Sequence, residues 1–319
     1  MRKIIWSFTL LLLIGFILYG SFLYIKDFNK VNTESDITGG KDIGKEEYIY
    51  KEELLSLGYT GTEIEYIRNK VSDIDVKNYL LSEKYENINK YVEIPYSKIK
   101  NIKRYSEYMK KNPTYSYDNI VLYVEIGIDN EFYTNITEIT DPNIITVLVN
   151  KYNKLPDKYE PDDLVALDSK YGSKKMREDA AEAFKKMADA AKEDGYTLKV
   201  VSGYRSEATQ KSLFDGYVKS DSLKNALRYS AKPGYSEHQT GLAADINSVS
   251  DNFVKTKEYK WLSSNAYKYG FIERYPKEKE FITGYKFEPW HYRYLGTEIT
   301  AKLYIENITY EEYIVKYVK

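Results

Sequence analysis

The chain has 319 residues, enough for about two domains, with 43% apolar and 30% charged residues and a formal net charge of −1. The charge is near neutral and no basic patch stands out, which argues against a nucleic-acid partner. Cysteine is absent, which excludes disulfides, thiolate zinc sites and cysteine nucleophiles, so any metal ligand is His, Asp or Glu.

The N-terminus opens on Arg2 and Lys3, and from Ile4 to Ile25 no charge interrupts an apolar run. Such a run is long enough to span about 30 Å of hydrocarbon. Residues 1–29 are therefore expected to be a single-pass transmembrane helix in the cell membrane. The basic start keeps the N-terminus inside and places the remainder outside. A cleaved signal peptide is the alternative, and both readings export the rest of the chain. Residues 30–46 are polar with a Gly pair and read as a linker. Residues 47–112 predict a small helical region of unknown role, its apolar stripes drawn from Leu54–Leu55, Ile64, Tyr66–Ile67 and Leu80–Leu81.

A second domain is expected over 113–319. NIVLYVEIGI (119–128) is β-branched and aromatic and predicts a strand. Residues 150–167, with Pro156 and Pro161, read as an extended lead-in. Met176, Ala180, Phe184, Met187 and Ala191 recur at helical spacing, predicting a helix over about 174–194 with Gly195 as its stop. TLKVVSGYR (197–205) predicts a strand, and Ser206 caps a helix with Leu213, Phe214 and Tyr217 inward. GLAADIN (241–247) predicts another strand, and a helix near 257–269 ends at Gly270. FIERY, GYKFEPWHYRYLG and one final helix close the chain. Strands and helices without βαβ alternation predict an α+β domain with a largely antiparallel sheet and flanking helices.

Only two histidines occur, His238 and His291. Zinc hydrolysis needs three protein ligands, an open position and a carboxylate base that does not itself ligate. His238, Asp245 and His291 supply a His/Asp/His set, and Glu288 stands three residues before the second histidine. Asp245 lies among Ala243, Ala244 and Ile246, where a carboxylate is expensive to bury unless paired or metal-bound. On residue chemistry alone, a loop histidine, a turn carboxylate and a solvated acid remain open for these positions. On a regular strand, residues three apart face opposite ways. A break in regular geometry is therefore expected between Glu288 and His291, aided by Pro289. Arg205, at a strand end before a helix, is placed to hold a carboxylate or an oxyanion.

Together, SGYRSEATQ, PGYSEHQTGLAADI and EPWHYRYLG resemble the signature blocks of the VanY-type D-alanyl-D-alanine carboxypeptidases, zinc peptidases of the hedgehog/DD-peptidase fold. The resemblance covers about residues 145–300. It implies one zinc ion held by His238, Asp245 and His291, Glu288 as catalytic acid/base, and Arg205 near the scissile carbonyl. It also implies substrate contacts from Ser236 and Gln210, with Tyr204, Trp290 and Gly241 as packing and turn residues. The implied activity trims the terminal D-alanine of peptidoglycan stem peptides. An LD-carboxypeptidase, an L-Ala-D-Glu endopeptidase and a non-enzymatic zinc-stabilised binding module are the alternatives.

Overall fold

Residues 48–318 are described in this computed structural model. The expected membrane span and the linker lie outside them. Among the described residues no helix is long and apolar enough to cross a membrane.

The helical region forms as expected, through α1 (Lys51–Ser56), α2 (Gly61–Lys70), α3 (Ile88–Val92) and α4 (Ile102–Lys111). Helix α2 starts on a capping box in which Thr60 and Glu63 satisfy each other's backbone N–H groups. Leu54, Ile64, Ile67 and Leu80 are buried, whereas Leu55 is 42% exposed.

The expected strand at 119–128 is instead helix α5 (Tyr117–Ile126), capped by Ser116 and ended by Gly127 in the left-handed region. Ile120, Val121, Leu122, Val124, Glu125 and Ile126 are all buried. A helix buried nearly all round carries no clean 3.6-residue pattern, and packing overrides the β preference of its residues. Asn101 and the Tyr105 hydroxyl both donate to Glu125, and Arg104 pairs with Asp129 at 2.6 Å. These bonds tie the α4 segment to α5, and Tyr50–Lys319 cluster as a single compact unit. A boundary at 112/113 accordingly does not divide the structure.

Two short ladders precede the main sheet. β1 (Thr137–Glu138) runs parallel to β2 (Asn153–Lys154), and β3 (Leu164–Ala166) pairs antiparallel with β4 (Lys175–Arg177). Because β4 occupies 175–177, helix α6 begins at Glu178 rather than 174 and runs to Glu193. Met176 therefore reaches the core from a strand, not from the helix.

The main sheet is antiparallel, in the order β5 (Val200–Ser202), β6 (Ala243–Ile246), β8 (His291–Tyr294), β7 (Phe271–Glu273). Ala244, Ile246 and Tyr292 join the main core with Ala180, Phe184, Met187 and Ala191 of α6. By strand alternation Ala243, Asp245, His291 and Arg293 face the other way. That opposite face carries the site.

Over it lie α7 (Glu207–Ser220, capped by Ser206), α8 (Leu223–Tyr229) and the turn Glu237–Thr240. Phe214 is buried as expected, but Tyr217 is 36% exposed and lines a cavity. Past β6, α9 (Lys257–Asn265) continues as a 3₁₀ turn to Gly270, and α10 spans Glu280–Thr283. The final helix is two helices, α11 (Thr297–Glu306) and α12 (Tyr310–Tyr317), parted at Asn307 in the left-handed region. Val315 of α12 packs on Leu122 and Ile126 of α5 and on Ile282.

Candidate active site

Asp245 and His291 are directly opposed across β6 and β8, which puts both side chains on one face at the closest spacing a sheet offers. His238 reaches the same point from the Glu237–Thr240 turn, whose return depends on Gly241 at φ 69°. A Cβ there would lie 2.9 Å from Leu164 Cδ2 and 3.0 Å from Arg177 Cγ, so the turn admits no side chain without displacing neighbours.

The three groups converge. One nitrogen or oxygen from each of His238, Asp245 and His291 lies within 4.8 Å of the others, and all three residues are buried. Asp245 Oδ1 is 3.1 Å from His291 Nδ1 and 3.4 Å from His238 Nε2. His238 Nδ1 is 2.8 Å from the Gly203 carbonyl oxygen, so Nδ1 carries the proton and Nε2 is left free to ligate.

Glu288 stands just outside the triad, its Oε2 3.9 Å from His291 Nδ1. The expected break in geometry is present. β8 starts only at His291, and the His291 N–H donates to the Glu288 carbonyl at 3.1 Å, closing a turn over Pro289 and Trp290. That turn lets two residues three apart address one point.

Arg205 lies across the cavity. Its guanidinium donates to Gln210 Oε1 at 2.7 Å and Ser202 Oγ at 2.9 Å, and Nη2 is 4.0 Å from Asp245 Oδ2. Gln210 also donates to the Ala231 carbonyl at 2.7 Å. With both ends engaged, Gln210 holds Arg205 in place instead of offering a free group to a substrate. Ser236 borders the cavity, and among the described residues no group hydrogen-bonds its hydroxyl. The cavity holds about 610 Å³ and is walled further by Tyr217, Tyr229, Tyr285 and Trp290.

Sequence reasoning missed Glu237. It is 2% exposed beside His238, and its Oε1 accepts from Arg274 Nε at 2.8 Å and Arg293 Nη1 at 3.0 Å. An acid next to a candidate ligand was visible in SEHQ. Its partners, 37 and 56 residues further on, were not.

The electrostatics call for a cation. Burial pushes the Glu288 carboxyl up to about 8, with Asp245 adding to the effect and His291 and Arg205 opposing it. Burial lowers His291, but hydrogen bonds to Asp245 and Glu237 outweigh it and raise the ring to about 9. Burial would raise Asp245, yet His238 and His291 hold it well below the usual carboxylate range. Burial is the main force on Glu288, and a divalent ion held by the three donors would add positive charge that favours the ionised carboxylates around it. Two imidazoles and one carboxylate, with a further acid left unligated, fit zinc with an open position.

Residues 173–297 match the family model of the VanY D-alanyl-D-alanine carboxypeptidases. The putative carboxypeptidase YodJ of Bacillus subtilis is 43% identical over 210 residues, covering 60% of this chain and 77% of that protein. The chain belongs to the VanY-type D-alanyl-D-alanine carboxypeptidase family. A D-alanyl-D-alanine carboxypeptidase of Enterococcus faecalis is 37% identical over 177 residues, 53% of this chain and 65% of that one. The solved structure of the LdcB LD-carboxypeptidase, described with its peptidoglycan recognition, is 44% identical with a TM-score of 0.54. It covers 59% of this chain and 94% of that one. As a VanY-type enzyme the chain is a zinc metallopeptidase, and His238, Asp245 and His291 are the donor set that fits its ion.

Proposed function

We propose that the enzyme releases the terminal D-alanine of peptidoglycan stem peptides, acting as a D-alanyl-D-alanine carboxypeptidase. The observation that carries this reading is Glu288, buried 3.9 Å from His291 yet outside the ligand triad, where a general base is needed and a purely structural zinc site needs nothing. Zinc in this triad supplies Lewis-acid chemistry, polarising a carbonyl and acidifying water. Glu288 takes the proton of the attacking water and returns it to the leaving amine. Arg205, braced by Gln210 and Ser202, faces the negative charge that develops on the carbonyl oxygen. Ser236 offers a hydroxyl to the terminal carboxylate.

The likeness to LdcB favours a second reading, LD-carboxypeptidase activity on tetrapeptide stems. Both reactions free D-alanine, and they differ in the residue before the scissile bond. Pentapeptide and tetrapeptide stems incubated separately distinguish them. D-alanine from the pentapeptide supports the first reading, and D-alanine from the tetrapeptide alone supports the second. A cut between L-alanine and D-glutamate, with no free D-alanine, defeats both. The charge-free run from Ile4 to Ile25 supports a membrane tether that leaves the catalytic part outside the cell, facing the wall. Protease accessibility of the catalytic part on intact cells tests that placement.

A further inference from the structure

Glu237 has a second contact. While Oε1 is held by the two arginines, Oε2 lies 3.4 Å from His291 Nε2. The opposite ring nitrogen, Nδ1, is the one that faces Asp245 and Glu288. The support behind Glu237 is extensive. Arg274 also donates to both oxygens of Glu311 on α12, at 2.6 and 2.9 Å. Asn150 donates to the same Glu311 at 3.2 Å. Arg293 is fixed by the Ile145 and Val147 carbonyls at 2.9 and 2.8 Å. The Arg274 N–H donates to the His291 carbonyl at 3.0 Å, so the same residue holds the ring's own backbone. Side chains of Glu237, Arg274 and Arg293 are 0% exposed and Glu311 1%. Two acids and two arginines balance in charge, as a buried ionic group must.

We propose that Glu237 is a positioning residue that orients His291 for the metal, and that α12 maintains it through Glu311 and Arg274. This rests on the zinc reading above. A carboxylate at Nε2 fixes the proton on that atom and presents Nδ1, with its lone pair, to the ion. His238 is set the opposite way by the Gly203 carbonyl. The two imidazoles therefore adopt opposite tautomers, one governed by a main-chain oxygen and the other by Glu237. Glu311 lies beyond the residues 173–297 that match the family model, so the last helix adds a support that the matched segment does not contain.

With only two histidines, ¹⁵N-histidine labelling of the zinc-loaded full chain resolves each ring without mutation. His238 is expected protonated at Nδ1 and His291 at Nε2, the latter proton exchanging slowly. A zinc-loaded protein with His291 protonated at Nδ1 overturns the inference and leaves the zinc site standing. A parent that takes up no zinc sinks both. Glu237→Gln puts an amide N–H either toward the imidazole N–H or toward the arginines. It is expected to weaken zinc about 10–100-fold in a chelator competition, with Glu237→Asp closer to the parent. Glu311→Gln should weaken zinc in the same direction. Unchanged affinity in folded Glu237→Gln refutes the positioning role, and unchanged affinity in Glu311→Gln removes α12 from it. Should Glu237→Gln fail to fold, the tautomer measurement on the parent still decides.

Discussion

Replacing Glu288 by Gln separates the proposed proton carrier from everything else in the site. The side chain is 10% exposed and its nearest oxygen is 3.9 Å from His291 Nδ1, beyond direct bonding distance. The amide keeps the shape but cannot accept a proton. Burial already pushes this carboxyl up to about 8, so a neutral group at 288 suits its surroundings and the variant is expected to fold. His238, Asp245 and His291 are untouched, so zinc stays at one ion per chain. Loss of general acid–base catalysis is worth about 10²–10⁴ in rate, or roughly 3–5 kcal/mol of barrier. The expected result is a kcat lower by that factor with KM changed little, read from D-alanine release alongside elemental analysis. A kcat within about tenfold of the parent would refute Glu288 as the base. Loss of zinc would instead make it a ligand.

The same geometry and burial yield two further outcomes. His238→Ala leaves two protein ligands, so zinc content measured on the purified protein should fall well below one per chain, and full occupancy would overturn the ligand assignment. Glu273, away from the triad, is raised from 4.5 to about 7 by burial, only partly offset by a hydrogen bond from Tyr259. A raised carboxyl favours the folded state below pH 4.5, and that advantage is lost as pH climbs through 7. At about 1.4 kcal/mol per pH unit, the loss is capped at about 3.5 kcal/mol. Denaturant unfolding of Glu273→Gln should therefore gain on the parent between pH 5 and 8, and a pH-independent difference would refute the assignment.

The candidate metal-binding residues were legible because their chemistry is local. His238, Gly241 and Asp245 sit within one block, and Glu288 and His291 within another, each with the turn or break that its spacing demands. What the sequence hid was long-range. NIVLYVEIGI has strand composition, and only burial on nearly every side, with Asn101 and Tyr105 donating to Glu125, makes it a helix. The family resemblance implies a substrate contact from Gln210, whereas the fold engages its amide with Arg205 and Ala231. Glu237 drew no reading from the sequence, because only β8 and the residue after β7 bring Arg293 and Arg274 to it.

The way each group is held matches the work asked of it. Asp245 and His291 stand on paired strand positions inside a sheet, where a shift of either would break ladder bonds on both sides. His238 hangs from a turn, but its ring is bonded to the Gly203 carbonyl and its own carbonyl accepts from the Arg205 N–H at 3.1 Å. The proposed ligand and the proposed oxyanion partner are thus fastened to each other through main chain. Glu288 also sits on an irregular turn, tied through its N–H to the Tyr275 carbonyl and through its carbonyl to the His291 N–H, and its carboxyl stands 3.9 Å from His291 Nδ1 with no hydrogen bond among the described residues. A group that must take a proton from water and carry it to a leaving amine has to reach two positions, whereas the ligands must keep one. The break between Glu288 and His291 therefore does more than aim two residues at one point: it places the Glu288 carboxyl beside the triad without a strand position to fix it, which fits the proposed role of proton carrier.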